Sequence, residues 1–168
     1  MGRWARILKN RWLDETDTAR ALDAAALQRL EARVAASERR HSGEIRLCVE
    51  AGLPLSYLWR GATARQRAVT LFGKLRVWDT EHNNGVLIYL LLAEHAIEIV
   101  ADRGLSRHVP QSHWDGLVAG MRQAFGRGRF EEGLMQAIGA VDALLLRHYP
   151  LDDGKHNPNE LPDRADLR

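Results

Sequence analysis

The stretch Gly85-Val86-Leu87-Ile88-Tyr89-Leu90-Leu91-Leu92-Ala93 constrains this chain most, because its only polar side-chain group is the Tyr89 hydroxyl. Asn83-Asn84 precedes it and Glu94-His95 follows it, so the apolar run is bounded by turn-forming residues and reads as a strand. A strand that is apolar on both faces must be covered on both faces, which puts it in the middle of a sheet with helices above and below. Glu94-His95 serves as a tight turn into a second strand over residues 96–101, making an antiparallel hairpin. Upstream, Ile45, Leu47 and Val49 alternate with Glu44, Arg46, Cys48 and Glu50, a period of two that marks another strand. Glu44, Arg46 and Glu50 share a face there and are expected to pair with one another. The helical segment between these strands is long enough for a right-handed crossover, so the first pair is parallel. The expected fold class is α/β: a three-layer α/β/α sandwich whose central mixed sheet contains a β-hairpin, flanked by about four helices.

Helical periodicity runs over residues 17–40, with Leu22, Leu30 and Val34 on one face, and again within residues 55–77, chiefly from about Ala62. Ser112 with Asp115 resembles a capping box opening a helix to Phe125, and a last helix runs from Phe130 to Tyr149-Pro150. Three segments result: a basic amphipathic N-terminal segment (1–15), a folded domain (16–150), and an extended or disordered tail (151–168) with Pro158 and Pro162.

A chain of 168 residues with 45% hydrophobic and 27% charged residues is one ordinary globular domain. Its formal charge of +2 is too mild to imply nucleic acid, which demands a clustered basic face. Cys48 is the only cysteine, so no internal disulfide and no cysteine-built zinc site is implied. Without a transmembrane-length apolar run or an apolar signal-peptide core, the chain is expected in the cytoplasm, at most peripheral at a membrane. Residues 3–13 place Trp4, Ile7, Leu8 and Trp12 at helical spacing between Arg3, Arg6, Lys9 and Arg11. Such a helix can meet a protein partner or a membrane surface; the simpler expectation is that its tryptophans cover an edge of the domain's own core.

Chemistry is concentrated in the loop Asp79-Thr80-Glu81-His82-Asn83-Asn84, which offers two carboxylates, an imidazole and amide oxygens. Hard cations such as calcium, magnesium or manganese take several such oxygens at once. The plainer role for Asn83-Asn84-Gly85 is a turn that tolerates positive φ. The loop before one hairpin strand and the loop after its antiparallel partner leave the sheet on the same side, so Asp79, Asn83 or Asn84, and Asp102 can converge. In a metal site Asp79 and Asp102 would hold the ion with help from Asn84 or Glu81. His82 is the candidate proton carrier, and Arg103 and Arg127 are the phosphate-binding candidates. No phosphate loop, nucleophile elbow, zinc-binding helix or dinucleotide turn is present, and no organic cofactor is expected. Cys48 lacks the local signs of an activated thiol.

Ser42-Gly43-Glu44-Ile45, Asn84-Gly85-Val86-Leu87, Gly104-Leu105 and Phe125-x-x-Gly128-x-Phe130-x-x-Gly133, in this order and separation, resemble the TPM domain family. The resemblance covers residues 16–150 and implies a mixed sheet between helices. It further implies likeness to acid phosphatases that bind calcium or another divalent ion, or to accessory proteins, with Asp79, Asn84 and Asp102 near the family's loop cluster. Where many members read Gly-Tyr-Gly-Leu-Glu after the hairpin, this chain has Asp102-Arg103-Gly104-Leu105-Ser106.

Overall fold

The computed structural model describes residues 2–13, 15–152 and 156–168. The chain runs α1 (Arg3–Arg11), α2 (Glu15–Ala21), α3 (Ala24–Glu38), β1 (Glu44–Glu50), α4 (Leu55–Trp59), α5 (Ala64–Lys74) and β2 (Gly85–Leu91). A single 3-10 turn and His95, which adopts φ 50°, reverse it into β3 (Ala96–Ala101). There follow α6 (Arg103–Ser106), α7 (Gln111–Gly126), α8 (Phe130–His148) and a terminal strand β4 (Asp166–Leu167). The sheet order is β3-β2-β1-β4: β1 is parallel to β2 and to β4, and β2 and β3 are antiparallel.

Every residue of β2 is buried, as its two-sided apolar pattern demands. On one face Ile45, Leu47, Ile88, Leu90 and Ile99 pack with Leu30 of α3, Phe125 of α7 and Val141 of α8. On the other, Cys48, Leu87, Tyr89 and Leu91 meet Ile7 of α1, Leu58 of α4 and Leu71 of α5. The three-layer mixed-sheet sandwich is therefore as expected.

The helix count is not, for the described residues form eight α-helices in place of about four. Residues 17–40 are broken at Asp23, whose side chain accepts the Ala26 amide at 2.7 Å and so starts a new helix, α3. Residues 55–77 divide at Gly61 into α4 and α5, and the capping box lies at α5, between Thr63 and Gln66. Ser112-Asp115 makes none, since α7 begins after Pro110 without a side-chain cap. The segment after Pro150, expected to be extended or disordered, is extended and docked where it is described. Leu161 is buried against the second face, and Arg46 donates to the carbonyls of Pro162 and Arg164 at 2.6 and 2.5 Å. The tail ends as β4 because the outer edge of β1 otherwise leaves amides and carbonyls unpaired.

Candidate functional site at the hairpin rim

The rim forms where β2 begins and β3 ends. The Asp102 amide donates to the Gly85 carbonyl and the Gly104 amide to the Asn83 carbonyl, both at 2.9 Å, while Arg103 Nε donates to Asn83 Oδ1 at 2.9 Å. Asn83 takes φ 51°, the left-handed turn that the Asn-Asn-Gly sequence allows. At Gly104 a Cβ would stand 2.4 Å from the Asn83 carbonyl oxygen and 2.7 Å from that of His82, so only glycine lets the two loops touch. Two oxygen-rich segments far apart in sequence thus reach one rim.

Each segment leaves one buried oxygen without a partner. Asp102 caps α6 with Oδ1, which accepts the Arg103 amide at 2.6 Å, and its Oδ2 has no hydrogen-bond partner. Asn84 donates through Nδ2 to the carbonyl of Ser42 at 3.1 Å and to its hydroxyl at 3.3 Å, and its Oδ1 is likewise unmatched. Burial of such oxygens without a donor is costly, and a cation would relieve it. Beside them lies a cleft of about 310 Å³ lined by Ser42, Glu81, His82, Pro150, Leu151 and Asp152, among others.

The remaining candidates divide. Asp79 turns away: its amide donates to the Arg76 carbonyl, and its carboxylate pairs with Arg76 at 2.5 Å on the exposed surface. The Glu81 backbone is held by Glu160, leaving its side chain exposed beside the cleft. Arg127 sits in the turn between α7 and α8. That turn adjoins Phe130, whose ring lies 5.3 Å from that of His95 at the far end of the hairpin, so Arg127 is remote from Arg103. Among the described residues no three His, Cys, Asp or Glu side chains are grouped to hold a metal ion. The rim offers Asn84 and Asp102, a smaller donor set than the four residues expected.

Buried polar clusters elsewhere escaped the sequence reading. Glu50 is gripped by Arg67 at 2.5 and 3.0 Å and by the Tyr89 hydroxyl at 2.7 Å. Asp142 of α8 accepts from Arg33 and Arg40; its Oδ1 takes the Ser37 hydroxyl at 2.7 Å, and that hydroxyl also meets His41. Against the upward push of burial, these bonds hold Asp142 at a pKa of about 2. Burial also pushes the Cys48 thiol up, which suits a packing residue better than a nucleophile. The faint signal for these clusters was charge at core-facing positions of predicted elements; the partners lay too far off in sequence to be paired by spacing.

Comparison with known proteins decides the family. The family model for the TPM domain matches residues 16–144. The chain belongs to the TPM domain family. Among solved structures it is similar to the BA42 protein of the psychrophilic bacterium Bizionia argentinensis, with 25% identity and a TM-score of 0.74 over 88% of this chain and 95% of that one. It also shares its fold with the N-terminal domain of a P. gingivalis protein, at 21% identity and a TM-score of 0.64 over 78% and 82% of the two chains. A search of curated proteins returned no match. Within this TPM chain no described helix is long and apolar enough to cross a membrane.

Proposed function

We propose that the rim of this TPM domain binds a hard divalent cation together with a phosphorylated ligand, and that the domain is phosphatase-like. The supporting observation is the pair of buried, partnerless oxygens, Asn84 Oδ1 and Asp102 Oδ2, on loops fastened to each other. Asp102 would hold the ion through its charge and Asn84 through its amide oxygen. Two protein oxygens are few for calcium, but they suit magnesium, which commonly keeps several waters and binds through one or two carboxylates plus substrate phosphate. When bound, such an ion polarises a phosphoryl oxygen and acidifies water. Arg103, anchored on Asn83, would pair with phosphoryl oxygens. His82, which lines the cleft, would carry the proton.

Phosphomonoester hydrolysis with magnesium tests this reading. Asp102→Asn is expected to lower kcat/KM by about a hundredfold or more, in line with loss of charge stabilisation at a reacting centre. Hydrolysis that survives both Asp102→Asn and chelation contradicts it. A second reading, a non-catalytic docking module, is supported by the outward-facing apolar stripe of α1. The two readings concern opposite ends of the sheet and are compatible.

A further inference from the structure

The first helix is mounted with its polar side inward. Asn10 is 4% exposed, donates to Glu94 at 3.2 Å and accepts the Leu53 amide at 2.8 Å. Arg6 donates to Glu94 and to the Ala62 carbonyl, both at 2.7 Å. A Cβ at Gly52 would lie 2.2 Å from the Asn10 carbonyl oxygen, so the backbone of α1 is seated directly on the turn after β1. These bonds hold the helix in one orientation, and that orientation faces its apolar stripe to solvent. Trp4, Leu8 and Trp12, four residues apart, are 69%, 58% and 81% exposed. The expectation that these tryptophans cover the domain's own core is therefore overturned. Leu55 and Trp59 of α4 extend the stripe, with the Trp4 and Trp59 rings 6.0 Å apart, edge to face.

The charge carried by α1 and α4 themselves is of one sign. Residues 2–13 and 51–62, which supply α1 and α4, contain no aspartate or glutamate. Lys9, Arg11 and Arg60 of these segments are exposed. Side chains of tryptophan and leucine bordered by lysine and arginine fit the boundary between lipid headgroups and acyl chains, where indoles concentrate and cations meet anionic lipid. We propose that the α1–α4 face docks on an anionic membrane surface. Neither contribution need suffice alone: a short apolar stripe gives weak, reversible binding, and the basic border supplies the second signal that stable anchoring needs. Because α1 is bonded to Glu94 and Leu53 at one end of the sheet, while Asn84 and Asp102 lie at the other, docking leaves the hairpin rim turned away from the lipid.

Co-sedimentation of the intact chain with vesicles tests the proposal. One set is phosphatidylcholine alone, the other phosphatidylcholine mixed with phosphatidylglycerol. Partition into the mixed vesicles is expected to be at least about tenfold stronger, to fall as salt is raised, and to blue-shift tryptophan emission. The variant Trp4→Ser/Leu8→Ser/Trp12→Ser should melt with the wild type, since it changes exposed side chains, and should lose that partition. Asp102→Asn should keep it, which separates this proposal from the cation-binding rim. Failure of the wild type to bind the mixed vesicles overturns the proposal and leaves a protein as the partner of this face. Equal binding to both vesicle types, or undiminished binding by the triple variant, overturns it as well.

Discussion

Glu50 is a carboxylate at the end of a buried strand, and its two partners come from α5 and β2. Arg67 grips it bidentately while stacking 4.9 Å from the Tyr57 ring. Removing one partner of such a buried pair leaves an uncompensated charge, so Arg67→Met is expected to destabilise the fold by about 3–5 kcal/mol in urea titration. Glu50→Leu/Arg67→Met should recover much of that loss; a double variant as unstable as the single one would show that packing, and not charge, dominates there. At this scale the sequence was legible only in part. Alternation of Glu44, Arg46 and Glu50 correctly implied a strand with a shared polar face. Pairing among the three did not follow: Glu50 takes Arg67, Glu44 accepts the Leu161 amide at 3.1 Å, and Arg46 reaches two tail carbonyls. Spacing along a strand says which residues share a face but not which distant segment will cover it.

The docked tail shows what elements add to residues. Glu44 and Glu31 accept the amides of Leu161 and Ala165 at 3.1 and 2.9 Å, and Glu38 accepts the Ile45 amide at 2.7 Å. Glu38 keeps its other oxygen unmatched; burial, with the charges of Glu44 and of Asp163 in the tail adding to it, raises its pKa to about 9. A carboxyl whose pKa is higher folded than unfolded contributes stability that is complete below its ordinary value near 4.5, and that contribution is lost as pH rises through about 9. Hydrogen-exchange protection of the Leu161 and Ala165 amides, corrected for intrinsic rates, is therefore expected to decline between those values. Glu38→Gln should flatten the decline, because the amide still accepts from Ile45 but does not ionise. A wild type whose protection is independent of pH would contradict this account. Hairpin, crossover and the two long C-terminal helices were readable from periodicity and turn residues. The break at Asp23 and the docking of the tail were not: a single cap and a two-residue edge strand carry too little pattern to stand out from loop.

As a whole molecule, the domain separates two chemistries at opposite ends of one sheet. The turn end of the hairpin carries α1 with its tryptophans outward, and the open end carries the rim with its unmatched oxygens. Hairpin geometry makes the convergence of Asn84 and Asp102 readable in the sequence, since antiparallel pairing sends both flanking loops to one side. The dismissal of Asp79 was not readable, because a local bond to Arg76 decides it. The seam between tail and sheet covers the outer edge of β1 at Cys48 and Val49. Removing residues 151–168 should therefore uncover β1, cost about 1.5–3 kcal/mol through Leu161 alone and promote concentration-dependent association, seen by light scattering. A truncated chain that stays monomeric with unchanged stability would contradict that role. The most direct test of the rim is a backbone amide NMR titration with magnesium and inorganic phosphate. The amides of residues 83–85 and 101–104 should shift together along one saturable curve, those around Arg127 should not move, and Asp102→Asn should abolish the response. Unmoved rim resonances at millimolar magnesium, or an identical response in Asp102→Asn, would contradict the claim that these two loops form a cation site.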